Sequence, residues 1–200
     1  MITGKINWLK ERPAERTLKR TLLLGILLLV ITAPATIWVL ELSNFPGTLD
    51  ETQLGFDGEY IRACFSTMTG RDLSYFVLAN LVDYLFMVSY AAVLTSAALL
   101  LTRRLRVSRL RGMGLAVSLA GALAALSDAA ENVFIISMAS DPLSFPGWLA
   151  IPHSLFAHLK FNLMYVAAGW IGLTALLGLV TWIQGRTTSL ALVEEKVTVI

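Results

Sequence analysis

The chain is poor in the residues that soluble enzymes rely on. It holds a single cysteine, Cys64, and two histidines, His153 and His158, in 200 residues. One cysteine excludes an intrachain disulfide, a dithiol redox pair and a cysteine-based metal cage, and leaves Cys64 as a small apolar contact in a short helix. Charge is scarce too. Charged residues make up only 15% of the chain and apolar ones 56%, where an ordinary soluble domain is roughly a quarter charged. Much of the surface therefore faces something other than water, and lipid meets that need. A formal net charge of +2 is too small to draw nucleic acid as a partner.

What the chain does have is long apolar runs. Residues 22–40 carry no charge and predict a first span, with Trp38 as an interfacial anchor and Pro34 as a kink. Residues 1–20 form a basic N-terminal segment in which Ile6, Trp8 and Leu9 give an apolar edge to a short surface helix that Pro13 ends. The basic lead, the apolar stretch and the small residues Ala33 and Ala35 also imitate a cleaved signal peptide. The long lead and the continuation to a full membrane thickness favour a retained span.

From residue 41 to 72 the chain turns acidic, with Pro46, Gly47, Gly55 and Gly58 as turn signals. A short helix is expected from Gly58 to Met68, capped by Asp57 and ended by Gly70. Asp72 is then expected to cap a second span over about residues 73–101. A third follows over about 112–138, and a fourth over about 152–184, with Pro152 in its first turn and its end near Gly185. Residues 186–200 read as a short, partly disordered tail. The fold class is all-α: an integral membrane four-helix bundle over residues 21–185 with a short extracytoplasmic helix in its first outer loop.

Six basic residues precede the first span and five, Arg103, Arg104, Arg106, Arg109 and Arg111, separate the second from the third. By the positive-inside rule both termini are cytoplasmic and both hairpin loops lie outside, in a bacterial plasma membrane.

Four charges interrupt the apolar spans: Asp83, Asp128, Glu131 and Lys160. Each costs on the order of 3 kcal/mol at mid-membrane unless something compensates it. Measured from the expected outer ends of their helices, at ~1.5 Å per residue, all four lie about 10 to 15 Å deep. Three helices thus deliver charge to one layer in the outer half of the bilayer. Gly121, Ala125, Asp128, Ala129 and Asn132 form a stripe of small and polar residues on the third span. Asn80, Met87 and Tyr90 share a face with Asp83, and His153, Met164 and Ala167 share one with Lys160. The simplest pairing is Asp83 with Lys160 as a buried ion pair. One lysine does not neutralise three acids, and the surplus implies protonated carboxyls, a bound cation or water reaching the site.

These residues also carry a resemblance. Asp83 with Phe86 and Tyr90, Asp128 with Glu131 and Asn132, and Lys160 followed by Phe161 make the sequence similar to an uncharacterised group of bacterial four-span integral membrane proteins. The likeness covers most of the chain from Gly55 onward. It implies that these residues act as a set and implies nothing about substrate.

The function expected from this pattern is an outward-facing intramembrane polar pocket that binds a small or lipid-like ligand. Asp83, Tyr90, Asn132, His153 and Lys160 are the binding candidates. Asp128 and Glu131 are candidates for general acid and base, with Lys160 holding an anionic group if the protein is an enzyme. The sequence does not name a cofactor, and a divalent metal held by a histidine and carboxylates is a weaker reading, because His153 and His158 are five residues apart and fall on different helical faces. A proton- or cation-coupled carrier and a structural or accessory subunit are the alternatives. Small size, the missing repeat and the lack of polar residues in the inner half weigh against the carrier, although a homo-oligomer would supply a pathway that one copy lacks.

Overall fold

The computed structural model describes residues 8–198, with side chains through residue 184. Ile6 of the expected surface helix and the side chains of Arg186 and Lys196 lie outside the described residues. Among the described residues, four helical segments are long and apolar enough to cross a membrane: Glu15–Glu41, Gly70–Arg103, Ser108–Ser140 and Gly147–Gln184. The protein is an all-α four-helix bundle and a multi-pass membrane protein. Its periphery exposes Leu23, Leu24, Leu126, Tyr165 and Val166, the surface expected where the solvent is hydrocarbon.

The first span, α1 (Glu15–Glu41), starts earlier than the apolar run, because Arg16, Lys19 and Arg20 are good helix formers and Glu15 suits a first turn. An i,i+4 ion pair of 2.6 Å joins Glu15 to Lys19. The helix continues through Pro34 and ends at Glu41, and shortly beyond it Asn44 adopts φ 47° and donates its amide to Asp72. A helix absent from the expectation follows, α2 (Leu49–Leu54). Thr48 caps it by accepting from the Glu51 N–H and donating to the Glu51 carboxylate at 2.9 Å. Tyr60 donates to the same carboxylate at 2.7 Å. The bonds from Tyr60 and Thr48 hold the Glu51 carboxyl below its usual range, and the bond to Glu51 pushes the Tyr60 phenol up.

Asp57 caps α3 (Gly58–Ser66) as expected, accepting from the N–H groups of Glu59 and Tyr60. The next boundary differs from the expectation. Gly70 does not end α3; it opens α4 (Gly70–Arg103), and Thr69 rather than Asp72 is the N-cap. Thr69 and Asp72 form a reciprocal capping box, which satisfies two otherwise unpaired N–H groups at once. The third span is also not one helix. It divides into α5 (Ser108–Val117) and α6 (Ala120–Ser140). At the break Ser118 donates its hydroxyl back to Leu115, and Leu119 bonds three residues back to Ala116, which tightens the turn. After a 3-10 turn at Gly147–Leu149, α7 (Ala150–Thr198) takes Pro152 in its first turn and runs past Gly185 without ending. A glycine costs a helix about 1 kcal/mol, which weakens but does not terminate it.

Packing is uneven around the bundle. α1 lies along α4, where a Cβ on Gly25 would stand 2.9 Å from Ala92 Cβ and where Thr32 and Ser89 share a hydroxyl contact of 3.3 Å. α6 lies between α4 and α7; a Cβ on Gly121 would be 2.7 Å from Leu94 Cβ, so the small-residue stripe does permit close approach. α7 presents Ala157, Lys160, Ala167 and Thr174 as a buried seam. The principal contacts of α1 are with α4, and it does not pack closely on α7. At one end of the bundle α2 rests on α7, and Ile61, Phe65, Phe76, Ile135, Met138 and Phe145 tie α3 and the last loop to the spans. Arg62 donates to the Phe145 carbonyl at 2.8 Å. At the other end Arg103 donates to the carbonyls of Leu9 and Pro13, fixing the segment that leads into α1.

Candidate functional site

The spans bring the expected residues into one cluster. Lys160 lies about 15 Å along α7 from Ala150, and Asp128 about 18 Å along α6 from Ser140, at ~1.5 Å per residue. The Lys160 ammonium sits 2.8 Å from Asp128 Oδ1 and 2.7 Å from Glu131 Oε2. Lys160, Asp128 and Glu131 are each buried, and the ring of Phe161 lies 5.0 Å from the ammonium. The contact to Asp128 is a well-formed hydrogen bond, whereas Glu131 Oε2 meets the ammonium as a close ion pair outside hydrogen-bond alignment. Tyr90 donates to the second oxygen of Asp128 at 2.9 Å, so neither Asp128 oxygen is free.

The pairing of Asp83 with Lys160 is not formed. Asp128 and Glu131 are three residues apart on α6, which packs directly on α7, so one helical face aims two carboxylates at the same ammonium. Asp83, on α4, is held instead by Asn132, whose amide donates to Asp83 Oδ2 at 2.9 Å and to the Asn80 carbonyl at 3.1 Å. His153 is 1% exposed; its Nδ1 lies 3.3 Å from the Glu131 carbonyl oxygen, and its Nε2 makes no well-formed hydrogen bond, although the Thr52 backbone lies beside the ring. His158 faces outward and stacks on Phe56 at 5.3 Å. The two histidines are therefore separated, as their spacing requires.

The cluster forms one wall of a pocket of about 270 Å³. Asp83, Asp128, Glu131, Asn132, His153 and Lys160 all line it. Phe76, Phe86, Ile135, Phe161 and Met164 make its remaining walls largely apolar. A few convergent polar groups in an apolar cavity are the usual composition of a small-molecule site. The apolar runs gave no hint that α1 contributes Thr36 and Leu40, or that Leu49, Thr52 and Gln53 of α2 close one end. For α2 a signal existed, since Thr48 and Glu51 have capping-box spacing. Phe56, which follows α2, has φ 56° and is pinned by Ser154, whose hydroxyl accepts its N–H at 3.0 Å.

Such a cluster is weak support for stability, because desolvating the charges offsets their attraction. Breaking it is different. Lys160→Met is expected to destabilise the protein by about 3–5 kcal/mol, since it leaves two buried carboxylates without their cation. Adding Asp128→Asn should recover part of that loss, while Asp83→Asn should come close to adding independently. Thermal unfolding of the single and double variants in detergent measures both couplings. A recovery with Asp83→Asn as large as that with Asp128→Asn would contradict this arrangement.

Comparison of the chain with protein-family models, with curated proteins and with solved structures gave no match.

Proposed function

We propose that the protein binds a small or lipid-like molecule in the pocket beside Lys160. The observation that carries this reading is the cavity itself: the charged cluster adjoins about 270 Å³ of open space. A cluster kept only to lock helix packing has no use for such a space. Thr36 and Leu40 of α1 and Lys160, Phe161 and Met164 of α7 line the pocket from two helices that do not pack closely on each other. A molecule with an apolar body could reach it from the side, through lipid, while its polar end met the cluster. In a catalytic version of this reading, Glu131 is the acid–base candidate with more freedom, because both Asp128 oxygens are committed.

A carrier would require polar groups to continue toward the arginine end. Contrary to the sequence expectation, buried hydroxyls are present there: Ser96, Thr102, Ser118 and Thr174. Ser118 and Thr174 bond back to their own helices, and Thr102 accepts from the Trp170 indole at 2.8 Å. These three hydroxyls are bound within the protein and favour closure over passage, while the buried Thr95 hydroxyl in the same half is left without a partner.

The positive-inside rule places the end bearing Arg103–Arg111 in the cytoplasm of a bacterial cell, with both termini, and the end bearing α2 and α3 outside the plasma membrane. Single-cysteine variants in a Cys64→Ala background measure this, because Glu59 and Arg106 are both exposed. An impermeant maleimide is expected to label Glu59→Cys on cells with a permeabilised outer envelope and Arg106→Cys only after lysis. The reverse pattern contradicts the orientation.

Ligand binding is measured by native mass spectrometry of the protein released from nanodiscs. Ala79 lines the pocket and is 2% exposed, so Ala79→Phe would project a ring into it. The wild type is expected to retain a non-peptide species of constant mass that Ala79→Phe loses at comparable thermal stability. Retention by the variant, or a wild type free of any such species, contradicts the binding reading.

A further inference from the structure

The hydrogen-bonding capacity left open in the pocket is lopsided. The donors of the cluster are largely spent within the protein. Tyr90 donates to Asp128, Asn132 to Asp83 and the Asn80 carbonyl, and Asn80 to the Phe76 carbonyl. Lys160 directs its ammonium at Asp128 and Glu131 and lies over the ring of Phe161. Away from the cluster, the Thr36 hydroxyl and the Gln53 amide can play either role.

The acceptors are in surplus. Asp83 has no contact with Lys160 and a single donor, Asn132, on one of its two oxygens. His153 supplies an independent sign. Nδ1 of His153 lies 3.3 Å from the Glu131 carbonyl, and its buried Nε2, with the Thr52 backbone beside the ring, makes no well-formed hydrogen bond with the protein. His153 lies on the pocket wall, and a buried polar nitrogen left short of a bond calls for a partner.

Charge points the same way. Three carboxylates and one ammonium line the pocket, and the ammonium already lies between two of the three. An anionic ligand would meet uncompensated acid, and a neutral one would leave Asp83 unpaired. Aromatic rings at Phe76, Phe86 and Phe161 add faces that attract a cation or pack an alkyl body.

We propose that the pocket selects a protonated amine carried on an apolar body, with the ammonium seated on Asp83. This rests on the reading of the pocket as a ligand site and names the chemical class of its ligand. The apolar body lies along Phe76, Phe86 and Ile135.

Calorimetric titration of the full chain in nanodiscs, corrected with empty discs, compares octylamine, octanol and octanoate. They share a chain and differ in the charge of the head group, and an alkylamine with a pKa near that of lysine is cationic at neutral pH. Octylamine is expected to bind about tenfold or more tighter than octanol, with octanoate weakest. Asp83→Asn should remove the amine's advantage and leave octanol within about threefold of its wild-type affinity. If Asp83→Asn does not fold, the wild-type ranking of the probes decides. Octanol binding as tightly as octylamine, octanoate binding tightest, or an amine advantage that survives Asp83→Asn each overturns the inference. If Ala79→Phe still loses a retained species while amine and alcohol bind alike, only the cation selectivity fails. If no probe binds and no species is retained, the pocket reading fails with it.

Discussion

One ammonium held between two carboxylates, inside a bundle otherwise made of apolar helices, governs the rest of the site. Lys160 lies between Asp128 and Glu131 at 2.8 and 2.7 Å. Because those two acids are one turn apart on α6, the contact fixes the rotation of α6 and α7 about their axes. Tyr90 on α4 then finds Asp128, and Asn132 on α6 finds Asp83. Three helices are thereby registered by four polar contacts. The close approach of α6 to α4 at Gly121 brings these groups within reach.

The same arrangement creates an imbalance that a purely structural cluster would avoid. Asp83 stands apart from the cation, His153 keeps an Nε2 without a well-formed hydrogen bond, and both line a cavity. The position of α1 makes room for that cavity. Packed along α4 at Gly25 and Thr32, it does not pack closely on α7. α2 closes one end of the pocket and is fastened from outside by Tyr60 through Glu51. Phe56 in the left-handed region costs on the order of 1–3 kcal/mol, a strain sustained by its bond to Ser154 and its stacking on His158.

The spans were legible because an uninterrupted apolar run of membrane length is too long for the core of so small a soluble domain and matches the thickness of a bilayer. The layer of charge was legible too, since depth along a helix follows directly from residue number. Which charges pair was not, because residue number says nothing about how helices are ordered around the bundle. Lys160 could have met Asp83 at the same depth; the adjacency of α6 and α7 gave it Asp128 and Glu131 instead. Local boundaries failed where a three-residue interaction outweighed a one-residue signal. Asp72 looked like a cap but serves as the partner of Thr69, and Gly185 looked like a stop in a helix that continues to Thr198. The break at Ser118 arises from side-chain and backbone bonds that composition alone does not show.

The most direct measurement is an experimental density map of the protein in a lipid nanodisc, at a resolution that shows ordered water and ligand around Lys160. The account predicts Lys160 between Asp128 and Glu131, Asp83 held by Asn132 and away from the ammonium, and non-protein density in the space between α1 and α7. A map in which Lys160 pairs with Asp83 and side chains fill that space would contradict it.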